Sequence, residues 1–127
     1  RGLDVRLIIS KKSDVPLVQM ASRSFIKEML ESGVKVYMYE KGFLHSKLMV
    51  FDDSLTLIGS VNFDSRSFEH NFEVEAFIYD HDVAEKAIDI IVEDQRYSQV
   101  ISLREWMKRP MWHRFIESLM RLFAPLL

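Results

Sequence analysis

HSKLMVFDDSLTLIGSVN, residues 45–62, is the stretch on which the fold of this sequence depends. Two apolar runs, residues 48–51 and 55–58, are separated by Asp-Asp-Ser at 52–54. Aspartate and serine favour turns, and apolar runs of this length on either side of a turn indicate paired strands. The stretch therefore predicts a β-hairpin with both strands largely buried.

Polar residues stand at the open end of this predicted hairpin. His45 and Lys47 precede the first strand and are two residues apart, so in an extended chain their side chains lie on the same face. Gly59, Ser60 and Asn62 follow the second strand in the pattern GSxN. Folding of the hairpin would bring an imidazole, an ammonium, a hydroxyl and an amide to one place.

These groups suit a phosphodiester substrate. A neutral imidazole such as that of His45 is a nucleophile near pH 7. Lys47 supplies a positive charge, while Ser60 and Asn62 supply hydrogen-bond donors for the non-bridging oxygens. A nucleophilic histidine also needs an acceptor for its second ring nitrogen, which fixes the tautomer. Glu73 is the candidate for that acceptor.

The sequence also resembles a known family. His45, Lys47 and Asp52 have the spacing HxKxxxxD, and with the following GSVN this resembles the HKD signature of the phospholipase D superfamily. The runs GSVNFDSRSFEHNFEVEAFIYD, GLDVRLIISKKSD and LFAPLL are similar to the bacterial cardiolipin synthase branch. The resemblance implies an α/β fold in which a mixed β-sheet is flanked by helices on both faces.

The resemblance also implies a site and a reaction. The implied site residues are catalytic His45, Lys47 and Asp52, phosphate-binding Ser60 and Asn62, and histidine-orienting Glu73. The implied reaction converts two phosphatidylglycerol molecules to cardiolipin and glycerol through a phosphohistidine intermediate. It implies no cofactor and no metal, because one phosphodiester is exchanged for another.

One HKD motif is present, whereas members of the family carry two. Residues 1–127 are therefore expected to be a single catalytic half, the C-terminal one, which works with a missing N-terminal half or with a second copy as a homodimer. An isolated monomer is expected to be inactive. By the resemblance, the parent protein is expected at the bacterial cytoplasmic membrane, and this part of it is expected to be soluble or peripheral.

Composition narrows the class of protein. With 48% hydrophobic and 28% charged residues the chain can form a packed core, and disorder is not expected. The net charge of −2 gives no polybasic signature for nucleic acid. The absence of cysteine excludes disulfides and thiolate metal sites. No apolar run reaches the roughly 18 to 20 residues that span a bilayer.

The remaining sequence alternates strand and helix patterns. A strand at residues 5–9, a helix from Pro16 that ends at Gly33, and a strand at residues 34–39 predict a parallel crossover. The further predicted elements are a strand at 72–79, a helix that ends near Arg96, a short helix at 103–107 and a last, amphipathic helix at 111–123.

Several alternatives stay open at this point. Water instead of an alcohol could resolve the intermediate, which would make the protein a phospholipase or nuclease type of hydrolase. The chain could be a non-catalytic half, or His45 and Asp52 could bind a metal. The last helix could lie on an anionic membrane surface or pack on the sheet or the missing half. Lys11 and Lys12 could face a phosphate or belong to an ordinary exposed loop.

Overall fold

The computed structural model describes residues 2–13, 16–62 and 64–122, without the side chains of Leu17, Ser65, Arg66 and Arg114. The secondary structure of these residues is β1 Arg6–Ser10, α1 Pro16–Glu31, β2 Lys35–Tyr39, β3 Leu48–Phe51, β4 Leu55–Gly59, α2 Ser65–Glu69, β5 Glu75–Tyr79, α3 His81–Arg96, β6 Ser98–Ile101, α4 Leu103–Met107 and α5 Met111–Arg121. The predicted α/β class is thereby confirmed. Phe123, the last residue of the predicted final helix, lies outside the described part of the chain.

The chain divides into two compact units. The first contains the residues up to Leu44 and those from Tyr97 onward, and the second is His45–Arg96. Each unit has its own three-stranded sheet, in the order β1-β2-β6 in the first and β3-β4-β5 in the second. The first sheet is mixed, and the second is antiparallel throughout.

The first unit contains the parallel crossover that the sequence predicts. β1 and β2 are parallel, with Arg6 opposite Lys35, and β6 runs antiparallel to β2. Its core is formed by Ile26, Val36, Met38 and Trp106. Each such side chain contributes on the order of 1.5 to 3 kcal/mol when it is fully removed from water.

The second unit contains the predicted hairpin. β3 and β4 pair antiparallel, with Leu48 opposite Ile58 and Phe51 opposite Leu55. The three-residue turn between them has Asp52 at φ 46°, in the left-handed region that aspartate tolerates better than most residues. β4 is the central strand, because β5 pairs with it on the other side.

The strands of this hairpin are less buried than the sequence predicts. Thr56 is fully buried, but Phe51 and Ile58 are each about half exposed, at 50% and 47%. α3 packs against β3 and β4 and buries its own Ala84 and Ala87. An apolar run gives no information on how much of each strand a helix will cover, which is why the prediction of burial was wrong. No helix in residues 2–13, 16–62 and 64–122 is long and apolar enough to cross a membrane.

Candidate active site

The open end of the hairpin forms a shallow pocket of about 500 Å³. The residues that line it are His45, Ser46, Lys47, Gly59, Ser60, Asn62 and Glu73. They come from three places in the second unit: the segment before β3, the end of β4 with the loop after it, and the segment before β5. The structure thus brings together five of the six side chains for which the sequence predicts a role.

Main-chain hydrogen bonds beyond the ends of the strands hold these three segments side by side. The Gly59 N–H donates to the Lys47 carbonyl oxygen at 3.3 Å, and the Ser60 N–H donates to the Val74 carbonyl oxygen at 2.9 Å. His45 and Lys47 lie before the first residue of β3, which begins at Leu48 as the sequence predicts. The pairing nevertheless continues to Lys47, which keeps the pocket residues in register.

Lys47 is held at the pocket by a hydrogen bond to the main chain of His45. Its Nζ donates a hydrogen bond to the His45 carbonyl oxygen at 2.8 Å. An ammonium group carries three donors, so this bond leaves two that a bound phosphate can accept. No carboxylate of the described residues lies at salt-bridge distance from Lys47, so its positive charge stays available to a phosphate in the pocket.

Glu73 is a fixed carboxylate in this pocket. The Ser60 hydroxyl donates to its Oε2 at 2.5 Å, and the Asn71 amide donates to its Oε1 at 3.1 Å. These two hydrogen bonds, with one from Ser67 and the positive charge of Lys47, hold the pKa of Glu73 below its usual value. The carboxylate is therefore ionised at neutral pH, as an acceptor for an imidazole N–H must be.

Ser67 belongs to this network, although the sequence analysis did not identify it. It is 6% exposed, and its hydroxyl oxygen accepts a hydrogen bond from the main-chain N–H of Asn62 at 3.2 Å. Its own N–H donates to Asp64 Oδ1 at 2.8 Å, which caps the start of α2. The signal that could have placed Ser67 in the first turn of a helix is Asp64, because aspartate is a common N-cap residue.

Glu75 is close to Glu73 in the sequence but has a different environment. Glu73 precedes β5 and lines the pocket, whereas Glu75 is the first residue of β5. Both carboxylate oxygens of Glu75 are buried and have no hydrogen-bond partner within the described part of the chain. The sequence predicts a strand from residue 72, but β5 begins at Glu75, so Glu73 lies in the segment before the strand.

Asp52 is the predicted site residue that the structure does not bring to the pocket. It lies in the turn after β3, whereas His45 lies before β3, so the two are at opposite ends of that strand. The hypothesis of a metal site at His45 and Asp52 has no geometric support for the same reason. In the first unit, Lys11 forms an ion pair with Glu40 at 2.5 Å.

Solved structures share this fold. Nuc, a phospholipase D family member from Salmonella typhimurium, matches with a TM-score of 0.67 and 19% identity over 80% of this chain and 66% of its own. Phosphatidylserine synthase from Haemophilus influenzae matches with a TM-score of 0.67 and 17% identity over 99% of this chain and 36% of its own. At these identities the likeness establishes the class of fold, which is phospholipase D-like.

Sequence comparison narrows this class to one family. The family model described as the PLD-like domain of cardiolipin synthase matches residues 1–95. Over 126 residues, or 99% of its length, the chain is 48% identical to cardiolipin synthase of Geobacillus thermodenitrificans and 42% identical to the major cardiolipin synthase ClsA of Bacillus subtilis. The chain belongs to the PLD-like domain family of cardiolipin synthase. It spans 25% and 26% of the length of these two relatives.

Proposed function

We propose that this chain supplies one half of the active site of a phosphatidyltransferase that makes cardiolipin and glycerol from two phosphatidylglycerol molecules. The observation that carries the proposal is the pocket itself, in which His45, Lys47, Asn62 and an ionised Glu73 converge. These are the groups that a phosphodiester exchange through a histidine requires. The similarity to cardiolipin synthases selects the substrate class.

The reaction has two steps that balance without a cofactor. In the first, an imidazole nitrogen attacks the phosphorus of phosphatidylglycerol, the bond from phosphorus to the headgroup glycerol breaks, and glycerol leaves with a proton from a second imidazole. In the second, a glycerol hydroxyl of another phosphatidylglycerol attacks the phosphohistidine and gives its proton to that second imidazole, and the P–N bond breaks. His45 is one of the two imidazoles, either the nucleophile or the general acid and base.

The other pocket residues act on the phosphoryl group and on His45. Lys47 neutralises charge on the non-bridging oxygens, and Ser60 and Asn62 donate hydrogen bonds to them. Glu73 accepts a hydrogen bond from the second ring nitrogen of His45 and fixes its tautomer. Asp52 acts through the hairpin turn and not through contact with substrate, in keeping with its position after β3.

The second imidazole must come from outside these 127 residues or from a second copy of them. His45 is the only histidine that begins an HxKxxxxD motif in this sequence. The chain therefore acts as a single catalytic half together with an N-terminal half or as a homodimer, at the bacterial cytoplasmic membrane that contains the substrate. A strictly monomeric 127-residue chain is inactive.

The test is lipid mass spectrometry on phosphatidylglycerol vesicles incubated with the full-length protein that carries this sequence. The variants are wild type, His45→Ala and His113→Ala, the last a matched control because His113 is an exposed residue of α5. We expect cardiolipin and glycerol from wild type and His113→Ala, and neither from His45→Ala.

Other products would change the conclusion. Phosphatidic acid in place of cardiolipin would mean that water resolves the intermediate and that the protein is a hydrolase. Equal losses from the two histidine substitutions would remove the reason for assigning chemistry to His45. Turnover by a strictly monomeric 127-residue chain would overturn the half-site part of the proposal.

A further inference from the structure

Helix α5 has two sides with different surroundings. One side packs on α1 and is fixed there by polar contacts. Glu117 is 7% exposed and forms a bidentate ion pair with Arg109 at 2.6 and 2.8 Å. Arg121 pairs with Glu28 of α1. This side therefore packs on another helix, α1, whereas the sequence left open packing on the sheet or on the missing half.

The other side is apolar and exposed. Its residues, with exposed fractions in parentheses, are Met111 (82%), Trp112 (58%), Phe115 (70%), Leu119 (43%) and Leu122 (73%). At 3.6 residues per turn these positions fall within an arc of about 100°, so they form one continuous stripe. We call this stripe the apolar face of α5. Apolar side chains of this size and number on one exposed face indicate an interaction surface.

The segment that carries the apolar face is also the cationic part of the chain. Residues 103–122 contain five arginines and lysines against two glutamates, whereas the whole chain has a net charge of −2. Two of the five basic residues are engaged in ion pairs, Arg109 with Glu117 and Arg121 with Glu28. The surplus therefore comes from Arg104, Lys108 and Arg114, against Glu105. The surplus of positive charge therefore complements an anionic partner.

We propose that the apolar face of α5 binds the surface of an anionic phospholipid bilayer, with the helix lying in the plane of the headgroups. The inference rests on the proposed function, because the substrate of that function is an anionic bilayer lipid. Amphipathic helices with basic residues bind in this way. Trp112 favours the bilayer over a protein partner, because an exposed indole is well suited to the headgroup region.

The experiment uses the two tryptophans of the chain, which differ in exposure. Trp106 is 8% exposed and Trp112 is 58% exposed. In a Trp106→Phe variant of the 127-residue chain, emission therefore reports on the apolar face alone. On titration with vesicles of phosphatidylglycerol and phosphatidylcholine, we expect a blue shift and quenching by lipids brominated near the headgroup, both weaker at high salt.

A second measurement removes the apolar face while keeping α5 helical. The double variant Phe115→Ser, Leu119→Ser should float with anionic vesicles at least tenfold less than wild type. Ile90→Ser is the matched control, because Ile90 is an equally exposed apolar residue (58%) on another helix, α3. It should float like wild type, and circular dichroism should show the same helix content in all three proteins.

The outcomes separate this proposal from others. Unchanged Trp112 emission with vesicles, or undiminished flotation of the double variant, would overturn it. A blue shift that grows with protein concentration in the absence of lipid would also overturn it, because a second copy would then cover the apolar face. If the double variant fails to fold, the Trp112 measurement still decides.

Failure of the proposed function would look different. In detergent micelles of phosphatidylglycerol, the full-length double variant should keep its turnover although it no longer floats with vesicles. Vesicle binding without turnover in micelles would contradict the proposed phosphatidyltransferase activity. It would still support the proposal that the apolar face of α5 contacts a membrane.

Discussion

Gly59 and Val74 approach each other so closely that no side chain would fit between them. A Cβ atom on Gly59 would lie 2.1 Å from the Val74 carbonyl oxygen and 2.3 Å from Glu75 Oε2. Because the Val74 carbonyl oxygen also accepts the hydrogen bond of Ser60, it cannot withdraw without loss of that pairing. The glycine of GSxN therefore allows the segment before β5 to bring Glu73 beside Ser60.

Gly59→Ala should destabilise the β4–β5 pairing and abolish turnover of the full-length protein. We expect a loss of about 1 to 3 kcal/mol in the free energy of unfolding, the usual cost of overpacking. Gly42→Ala is the matched control, since a Cβ there has no atom within 4 Å. Thermal unfolding and the cardiolipin assay measure the two effects. Similar behaviour of both variants would contradict the requirement for close approach.

Ser67→Ala should shift the pH dependence of turnover. The Ser67 hydroxyl helps to hold the pKa of Glu73 below its usual value, so its removal raises that pKa. The ionised form that orients His45 is then lost at a higher pH, and the acid limb of the rate profile moves upward. The maximal rate should fall about tenfold, because Asn62 also loses its main-chain anchor.

The other titratable residues that line the pocket are His45 and Lys47, and both remain in the Ser67→Ala variant. A changed acid limb therefore reports on Glu73 and not on a missing charge. Ser32→Ala, at an exposed serine bonded to the Glu28 carbonyl oxygen in the other unit, should leave the profile unchanged. A uniform fall in rate with no shift of the acid limb would show that Ser67 only maintains the structure.

Arg109→Ala should lower the stability of the first unit. Arg109 binds the buried Glu117 through two hydrogen bonds and lies over the Trp106 ring at 3.4 Å. Removal of one partner leaves a buried carboxylate unpaired, which costs about 3 kcal/mol. Tryptophan fluorescence during denaturation measures the change, because both tryptophans lie in this unit. Arg96→Ala, which breaks an exposed pair with Glu93, should cost less than about 1 kcal/mol.

His81 should make the second unit more stable in mild acid. Its Nδ1–H donates to the Asp53 carbonyl oxygen at 2.7 Å, and this bond, with the charges of Asp53, Glu85 and Asp82, raises the pKa of His81 above 6.5. A pKa raised by folding gives stability that is present below the unfolded value and is lost as pH rises through the folded value.

Thermal unfolding should therefore show that His81 stabilises wild type at pH 5.5 but not at pH 8.5. The His81→Gln variant should lack this stabilisation at both pH values. His70→Gln, at an exposed histidine of the same unit, is the control for the general effect of histidine removal. An equal dependence on pH in wild type and His81→Gln would contradict the role of this hydrogen bond.

The sequence predicted the site better than the packing of the strands around it. Spacing of two residues puts His45 and Lys47 on one face, and a hairpin returns Ser60 and Asn62 to them, so local geometry was sufficient. The partial exposure of the hairpin and the division of strands between two sheets were not predicted, because both depend on which distant segments pack together. Ser67 was missed for the same reason, since its bonds to Asn62 and Glu73 join helix α2 to two loops.

The sequence by itself determined the hairpin, the composition of the pocket and the family, because each of these depends on residue identity at short and fixed spacing. Only the tertiary structure decided that the hairpin is half exposed, that Ser67 joins the pocket network, and that one face of α5 stays exposed. The physical reason is that strand ends and helix contacts are set by long-range hydrogen bonds and packing, and many arrangements of these are compatible with the same local pattern.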